Sequence, residues 1–259
     1  MSKVFFVGCG PGDPELITIK AKKLLQKADV VVYSGSLIPS PILKLCKKAK
    51  LHDASKLIRE EIFNLLKNNA KKNKLVVRLH DGDPTIYGAI KEQIDNLEKE
   101  GIKSEIISGV TSFLASAAAL GTQLTLPGVT QTIIITRAEK RTKVPKREKI
   151  SELAKHKATM IFYLSVHLLS DIVKEVIAGG YAITTPTAVV YRASWDDQKI
   201  IIGTLRDITK KVWNEKITRT AIVIIGDVIQ PSSYEYSRLY DNTFSHGYRK
   251  AKIKTKIIN

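Results

Sequence analysis

The apolar run Val4-Phe5-Phe6-Val7 leads without a break into Gly8-Cys9-Gly10-Pro11-Gly12-Asp13-Pro14. A strand that ends in a glycine-rich turn belongs to an open α/β sheet, where ligands bind in the crevice beyond the strand ends. Glycines at alternate positions allow positive φ and let a ligand approach bare backbone. The spacing is G-x-G-x-G, not the dinucleotide G-x-G-x-x-G. Pro11 and Pro14 also remove amide donors that a phosphate-cradling helix start would use. The loop therefore reads as built for shape rather than for gripping a pyrophosphate. A nicotinamide-dependent oxidoreductase would carry an acid after its second strand. Here Val30–Tyr33 is followed by Ser34-Gly35-Ser36, and that enzyme class drops out.

The pattern that follows alternates regularly. Strands are expected at Val4–Val7, Val30–Tyr33, Leu75–Leu79 and Ser104–Ile107, with helices at about Thr18–Lys27, Ser55–Asn69, Ile86–Lys99 and Ser112–Leu120. Continuous apolar strands between amphipathic helices predict a parallel sheet covered on both faces. Character changes across Thr122–Val129 and the basic stretch Arg137–Lys149. Five further strands are expected at Gln131–Thr136, Thr159–Leu164, Ala188–Tyr191, Lys199–Thr204 and Ala221–Gly226, with helices at Leu168–Ala178 and Leu205–Glu215. A hairpin around Trp195-Asp196-Asp197-Gln198 makes the second sheet mixed. The expected division is an α/β domain over 1–122, a second over 123–231, and a basic, tyrosine-rich extension over 232–259 with Lys250, Lys252, Lys254 and Lys256 alternating.

The 259 residues suffice for a sizeable core, and no apolar run reaches the length of a membrane span. The chain enters a strand directly after Met1-Ser2-Lys3, which leaves no room for a signal peptide and fits a cytoplasmic protein. Cys9 and Cys46 lie far apart with no metal-ligand spacing, so neither a disulfide framework nor a bound metal is expected. Lys and Arg number 42 against 25 Asp and Glu, a net charge of +17. Pairs such as Lys22-Lys23, Lys47-Lys48 and Lys71-Lys72 read as solvated surface. The aromatics are not interleaved with basic runs as a single-strand binding platform requires. A nucleic-acid-binding module is the reading from another class, and it is disfavoured.

The strand ends carry the chemistry. His80-Asp81-Gly82-Asp83-Pro84 sets two acids around a glycine, suited to a ligand's hydroxyls or a cationic group. Asp83 before Pro84 equally suits a helix N-cap. Ser108-Gly109-Val110-Thr111-Ser112 ends the next strand, with Thr111 or Ser112 placed to cap the alanine-rich helix. In Thr136-Arg137-Ala138-Glu139-Lys140-Arg141-Thr142-Lys143, clustered cations suit contact with several carboxylates, or merely a solvated loop. No Ser/His/Asp or Cys/His arrangement is evident. His80 and Tyr87 are the candidates for a base, and no catalytic residue is assigned.

Taken together, the Gly8–Pro14 loop, Asp81-Gly82-Asp83-Pro84 and Gly109-Val110-Thr111-Ser112 resemble the motifs of the tetrapyrrole (corrin/porphyrin) methyltransferases, in the same order and at comparable spacing. Phe162-Tyr163-Leu164-Ser165, Val190-Tyr191-Arg192-Ala193-Ser194 and Thr220-Ala221-Ile222 extend the resemblance over nearly the whole chain. Thr130-Gln131-Thr132, Thr136–Glu139, Ser237–Tyr240 and Ser245-His246-Gly247 favour the branch that methylates carbon C11 of precorrin-4 or its cobalt form. The resemblance implies two α/β domains, usually in a homodimer, with S-adenosyl-L-methionine in the cleft between them and a corrinoid precursor as substrate. It implies no role for nucleic acid or membrane. Carried over by residue, the cofactor shell is Pro11, Asp81, Gly82, Asp83, Ile86, Thr111, Ser112, Leu164, Ala193, Ala221 and Ile222. The expected substrate-facing residues are Gly10, Gly12, Asp13, Arg137, Arg141 and Lys143. Ser108 stands where the family usually has proline, and Cys9 where it often has alanine; neither removes an expected contact side chain.

Overall fold

The computed structural model describes residues 3–140 and 142–252. Arg141, Lys254 and Lys256 therefore lie outside the described residues. Two five-stranded sheets organise the chain. The first contains β1 (Lys3–Gly8), β2 (Val30–Tyr33), β3 (Lys50–Asp53), β4 (Val76–His80) and β5 (Lys103–Ile107), in the order β3-β2-β4-β1-β5. Every pairing is parallel. Its helices are α1 (Ile19–Lys27), α2 (Ser40–Leu43), α3 (Arg59–Lys71) and α4 (Lys91–Lys99). Val7, Val31, Val77 and Leu79 face Leu25 and Ile42 of α1 and α2. Val4, Phe6, Val30, Val32 and Val76 face Leu66 and Leu97 of α3 and α4. Both faces of each central strand are thus buried, which is why these strands read as unbroken apolar runs.

The second sheet contains β6 (Ile133–Arg137), β7 (Thr159–Tyr163), β8 (Pro186–Tyr191), β9 (Lys199–Thr204) and β10 (Ala221–Ile225), in the order β6-β7-β10-β8-β9. β6 and β7 are parallel and the other pairs antiparallel. The hairpin expected around Trp195–Gln198 joins β8 to β9, with Tyr191 opposite Lys199. Before this sheet comes α5 (Ser112–Leu120), and within it α6 (Ile150–Ala154), α7 (Leu169–Ala178) and α8 (Ile208–Asn214). One face buries Met160, Phe162, Val189 and Val223 against Leu169, Ile172 and Val176 of α7 and Ile208 and Val212 of α8. The other face is covered by α5. Phe113 and Ala117 meet Ile161, Ile222 and Ile224, and Ala115 meets Val190 and Ala193. The short side chains of α5 permit that close approach.

Several expectations are corrected. β3 was not expected: its Lys50-Leu51-His52-Asp53 lies on the sheet edge with two exposed and two half-buried residues, and carries no apolar run. The strand expected third is accordingly β4. α3 starts at Arg59, where Glu61 reaches back to accept from the Ile58 N–H at 2.9 Å. α4 starts at Lys91 rather than near Ile86. The intervening turn holds Tyr87 and Ala89 at positive φ, 55° and 49°. Asp83 therefore caps no helix. Helices α2 and α6 are too short to show a period. No described helix is long and apolar enough to cross a membrane.

The carboxyl ends of β1, β4 and β5 lie side by side, with Gly8 opposite His80 and Val7 opposite Ile107. Their loops cross with almost no clearance. A Cβ on Gly109 would stand 2.1 Å from the Gly82 carbonyl oxygen, and one on Gly8 2.5 Å from it. Gly101 contrasts with these, having φ of 71° but open space around it. Gly109→Ala should therefore cost at least the roughly 1–3 kcal/mol of an overpacked core. Gly101→Ala should cost about 1 kcal/mol, from the left-handed backbone alone. Urea unfolding of both variants tests the difference; equal losses would mean that the loop crossing does not constrain the fold.

Candidate functional site

A cavity of about 340 Å³ opens where the strand-end loops of the first sheet face those of the second. Its volume lies within the range of small-molecule sites. Pro11, Asp81, Gly82 and Ser112 line it from the first half. Leu164, Ala193, Ala221 and Ile222 line it from the second. These residues, expected on separate motifs, share one cavity. Asp81 is the only acid among the lining residues. Enclosure by the walls pushes its carboxyl above the ordinary carboxylate range, and the nearby Arg78 guanidinium partly opposes this. Much of the rest of the wall is apolar.

Three residues of the expected shell stand behind the wall. Asp83 turns its carboxylate away: Oδ2 accepts from the Gly109 N–H at 2.9 Å and Oδ1 from the Thr85 N–H at 2.8 Å. It ties the second strand-end loop to the third. Thr111 Oγ1 lies 2.6 Å from the Tyr163 hydroxyl, and the Phe113 N–H donates to that hydroxyl at 3.2 Å. Tyr163, at the end of β7, thus satisfies the start of α5 from the opposite sheet. Ile86 packs against the cluster around Phe113.

The glycine loop has a structural task of its own. Gly10, at φ 85°, exchanges backbone hydrogen bonds with Gly82 at 3.2 and 2.8 Å. Trp195 Nε1 donates to the Pro11 carbonyl at 2.9 Å, and the Asp13 N–H donates to Ser194 Oγ at 3.0 Å. A Cβ on Gly12 would lie 2.1 Å from the Trp195 ring. Gly12 and Asp13 therefore meet the second half of the chain. They border a separate open groove beside Ser194 and Trp195. In the basic segment, Arg137 donates to the Thr142 and Lys143 carbonyls, each at 3.0 Å, and so holds its own loop. Lys143 is exposed. Neither residue lines the cavity.

Sequence reasoning missed Ser36, Arg192, Trp195, Arg219 and Thr220 as wall residues. Ser36 follows β2, and its position at a strand end could have found it. Leu164, Arg192, Ser194 and Thr220 hold φ of 55°, 45°, 70° and 54°. Non-glycine residues in this region are costly, and they gather at functional sites. Trp195 had no local signal, because its partner is Pro11.

Neither candidate base reaches the cavity. His80 is 4% exposed, lies against the Phe6 ring and has no partner at Nε2. Burial, with the adjacent Arg78 charge, lowers its pKa to about 3. Tyr87 lies tilted at 45° to the Tyr163 ring, 5.5 Å between centroids, and does not line the cavity. The Cys9 thiol is raised by burial and inert.

Residues 3–209 match the family model described as Tetrapyrrole (Corrin/Porphyrin) Methylases. The chain belongs to that family. It is 53% identical over 253 residues to a cobalt-precorrin-4 C(11)-methyltransferase of Methanocaldococcus jannaschii, covering 97% of this chain and 98% of the relative. It is 43% identical to a precorrin-4 C(11)-methyltransferase of Pseudomonas aeruginosa, covering 95% and 98%. Among solved structures of tetrapyrrole methylases, a cobalt-precorrin-4 methyltransferase of cobalamin biosynthesis superposes with TM-score 0.85 at 42% identity, over 89% of this chain and 97% of that one. A uroporphyrin-III C-methyltransferase from Thermus thermophilus, complexed with S-adenosyl homocysteine, gives TM-score 0.75 at 30% identity over 88% and 93%.

Two outcomes follow from the geometry. Gly12→Ala should displace the Trp195 indole; Trp213 is 74% exposed, so in a Trp213→Phe background the emission should shift to the red. Unmoved emission would mean that the indole does not pack on Gly12. The second outcome concerns pH. His80 titrates at about 3 in the fold but near 6.5 when unfolded. The unfolded chain therefore binds the extra proton first. Stability is complete above pH 6.5 and declines as pH falls towards 3. Between pH 7 and 5 this should amount to about 1–2 kcal/mol. Asp81, with its raised pKa, acts in the opposite sense as pH falls. His80→Phe should flatten that part of the profile in urea unfolding at both pH values; an unchanged slope would exclude His80 as its source.

Proposed function

We propose that this protein transfers a methyl group from S-adenosyl-L-methionine to carbon C11 of cobalt-precorrin-4. The observation that carries the reading is the make-up of the cavity wall: its one carboxylate, Asp81, shares the wall with Leu164, Ala193, Ala221 and Ile222, and its two arginines, Arg192 and Arg219, come from the second half. A sulfonium cation attached to an adenosyl group has the matching pattern, a positive centre beside a flat apolar body. The carbon position and the cobalt rest on the 53% identity to the enzyme of M. jannaschii across nearly both chains. When bound, the cofactor supplies an electrophilic methyl on a positively charged sulfur.

Methyl transfer to a ring carbon is an in-line displacement, limited by approach, alignment and exclusion of water. The residues present suit that demand. Asp81, on the cavity wall, holds the positive centre by charge attraction. Backbone at Pro11 and Gly82 allows close approach. Trp195, bonded to Pro11, closes one side. No covalent nucleophile is needed. The supported division of the chain is 1–122 and 123–231 as two α/β domains, with 232–259 as an extension. The extension touches the second half where the Glu235 N–H donates to the Pro127 carbonyl at 2.9 Å. The same reading makes the protein a cytoplasmic homodimer that acts on a small corrinoid without nucleic acid or membrane.

Incubation with S-adenosyl-L-methionine and either cobalt-precorrin-4 or metal-free precorrin-4 tests the reaction. Mass spectrometry should show one added methyl, on the cobalt form in preference, and NMR should place it on C11. A methyl on another carbon would overturn the assignment. Asp81→Asn should weaken binding of S-adenosyl-L-methionine about tenfold more than that of S-adenosylhomocysteine, which lacks the sulfonium charge. Equal losses in calorimetric titration would remove Asp81 from that role.

A further inference from the structure

The cavity carries a second charge feature that the cofactor's positive centre does not use. Opposite Asp81, the second half contributes two arginines to the wall, Arg192 and Arg219. Arg192 closes β8 and Arg219 stands just before β10. The Arg192 N–H donates to the Thr220 carbonyl at 2.9 Å, which ties the two segments together. The Arg192 guanidinium lies over the rings of Tyr191 at 5.2 Å and Trp195 at 4.8 Å. One of its terminal nitrogens binds Asp197 at 2.6 Å, while its buried Nε has no partner. The Arg219 side chain makes no ion pair and no hydrogen bond among the described residues.

We propose that Arg192 and Arg219 form a carboxylate-binding pair in the wall of this cavity. A planar guanidinium that lies over two aromatic rings and is paired with Asp197 is pre-oriented, so little rotamer freedom remains to be lost on binding. The guanidinium fork matches a carboxylate in two parallel hydrogen bonds. Arg137, whose guanidinium is bonded to the carbonyls of its own loop, is less available for this purpose. The inference rests on the cofactor reading of the cavity. Two ligands of that reaction carry the required group: the corrinoid, on its peripheral side chains, and the cofactor, on its amino-acid end.

The experiment uses Arg219→Ala and Arg219→Lys in the full chain; Arg219 is exposed, so both variants should fold with unchanged melting temperature. Three quantities are read: KM for cobalt-precorrin-4, Kd for S-adenosylhomocysteine, and Kd for decarboxylated S-adenosylmethionine. If the pair takes a corrinoid carboxylate, KM rises roughly ten- to a hundredfold in Arg219→Ala while both dissociation constants hold. If it takes the cofactor's carboxylate, S-adenosylhomocysteine weakens by that factor, and the decarboxylated compound binds wild type and variant alike. Arg219→Lys, which keeps the charge and loses the fork, should fall between. Unchanged KM and Kd in Arg219→Ala overturn the pair. So does a uniform loss accompanied by a lower melting temperature. A wild-type protein that fails to bind S-adenosylhomocysteine overturns the cofactor reading itself, before any variant is made.

Discussion

The carbonyl oxygen of Gly82 occupies the space that a side chain on Gly8 or Gly109 would need, 2.5 Å and 2.1 Å from their Cβ positions. Three strand-end loops are thereby drawn together more closely than any other residue type would allow. The mutual hydrogen bonds of Gly10 and Gly82 and the Asp83 carboxylate on the Gly109 amide hold them there. This crossing sets the floor of the cavity. It fixes where Pro11, Asp81 and Ser112 face, and it starts α5 in the direction that carries it onto the second sheet.

The two halves are joined by packing and by a few polar contacts, each of distinct character. α5 buries Phe113 and Ala117 against β7 and β10, an apolar contact that is broad and tolerant of direction. The Tyr163 hydroxyl serves Thr111 and the Phe113 amide, and Trp195 reaches the Pro11 carbonyl. These contacts are directional and settle how the loops meet. The strained backbone at Leu164, Arg192, Ser194 and Thr220 lies at the same boundary. Such conformations persist only where surrounding contacts over-determine them.

Charge is organised locally rather than by the chain's +17 total. Many lysines sit on exposed helix faces or in pairs such as Lys71 with Glu100 and Lys199 with Glu215. Exposed pairs of this kind contribute little to stability. The charges with consequence are those that line the cavity: Asp81 on one side, Arg192 and Arg219 on the other. Beneath them Arg78 and His80 are buried in β4, and the apolar surroundings hold the histidine neutral.

The parallel first sheet was legible from the sequence because strands buried on both faces must be apolar throughout, and the helices between them must show a helical period. The mixed second sheet and the strand-end positions of Gly8–Pro14, Asp81–Pro84 and Gly109–Ser112 were legible for the same reason, as was the set of motifs that marks the family. β3 was not, because an edge strand of Lys50-Leu51-His52-Asp53 needs no apolar pattern. Nor could the sequence separate Asp81 from Asp83. They share one turn, and the positive φ of Gly82 sends one into the cavity and the other towards Gly109. Nor could the sequence show that the Arg137 guanidinium donates to carbonyls of its own loop. Trp195 meets Pro11 across a separation of 184 residues. Local pattern reports which conformation a segment takes and which face it buries. Where a turn aims a side chain, and what waits for it there, is decided by contacts between segments far apart in the chain.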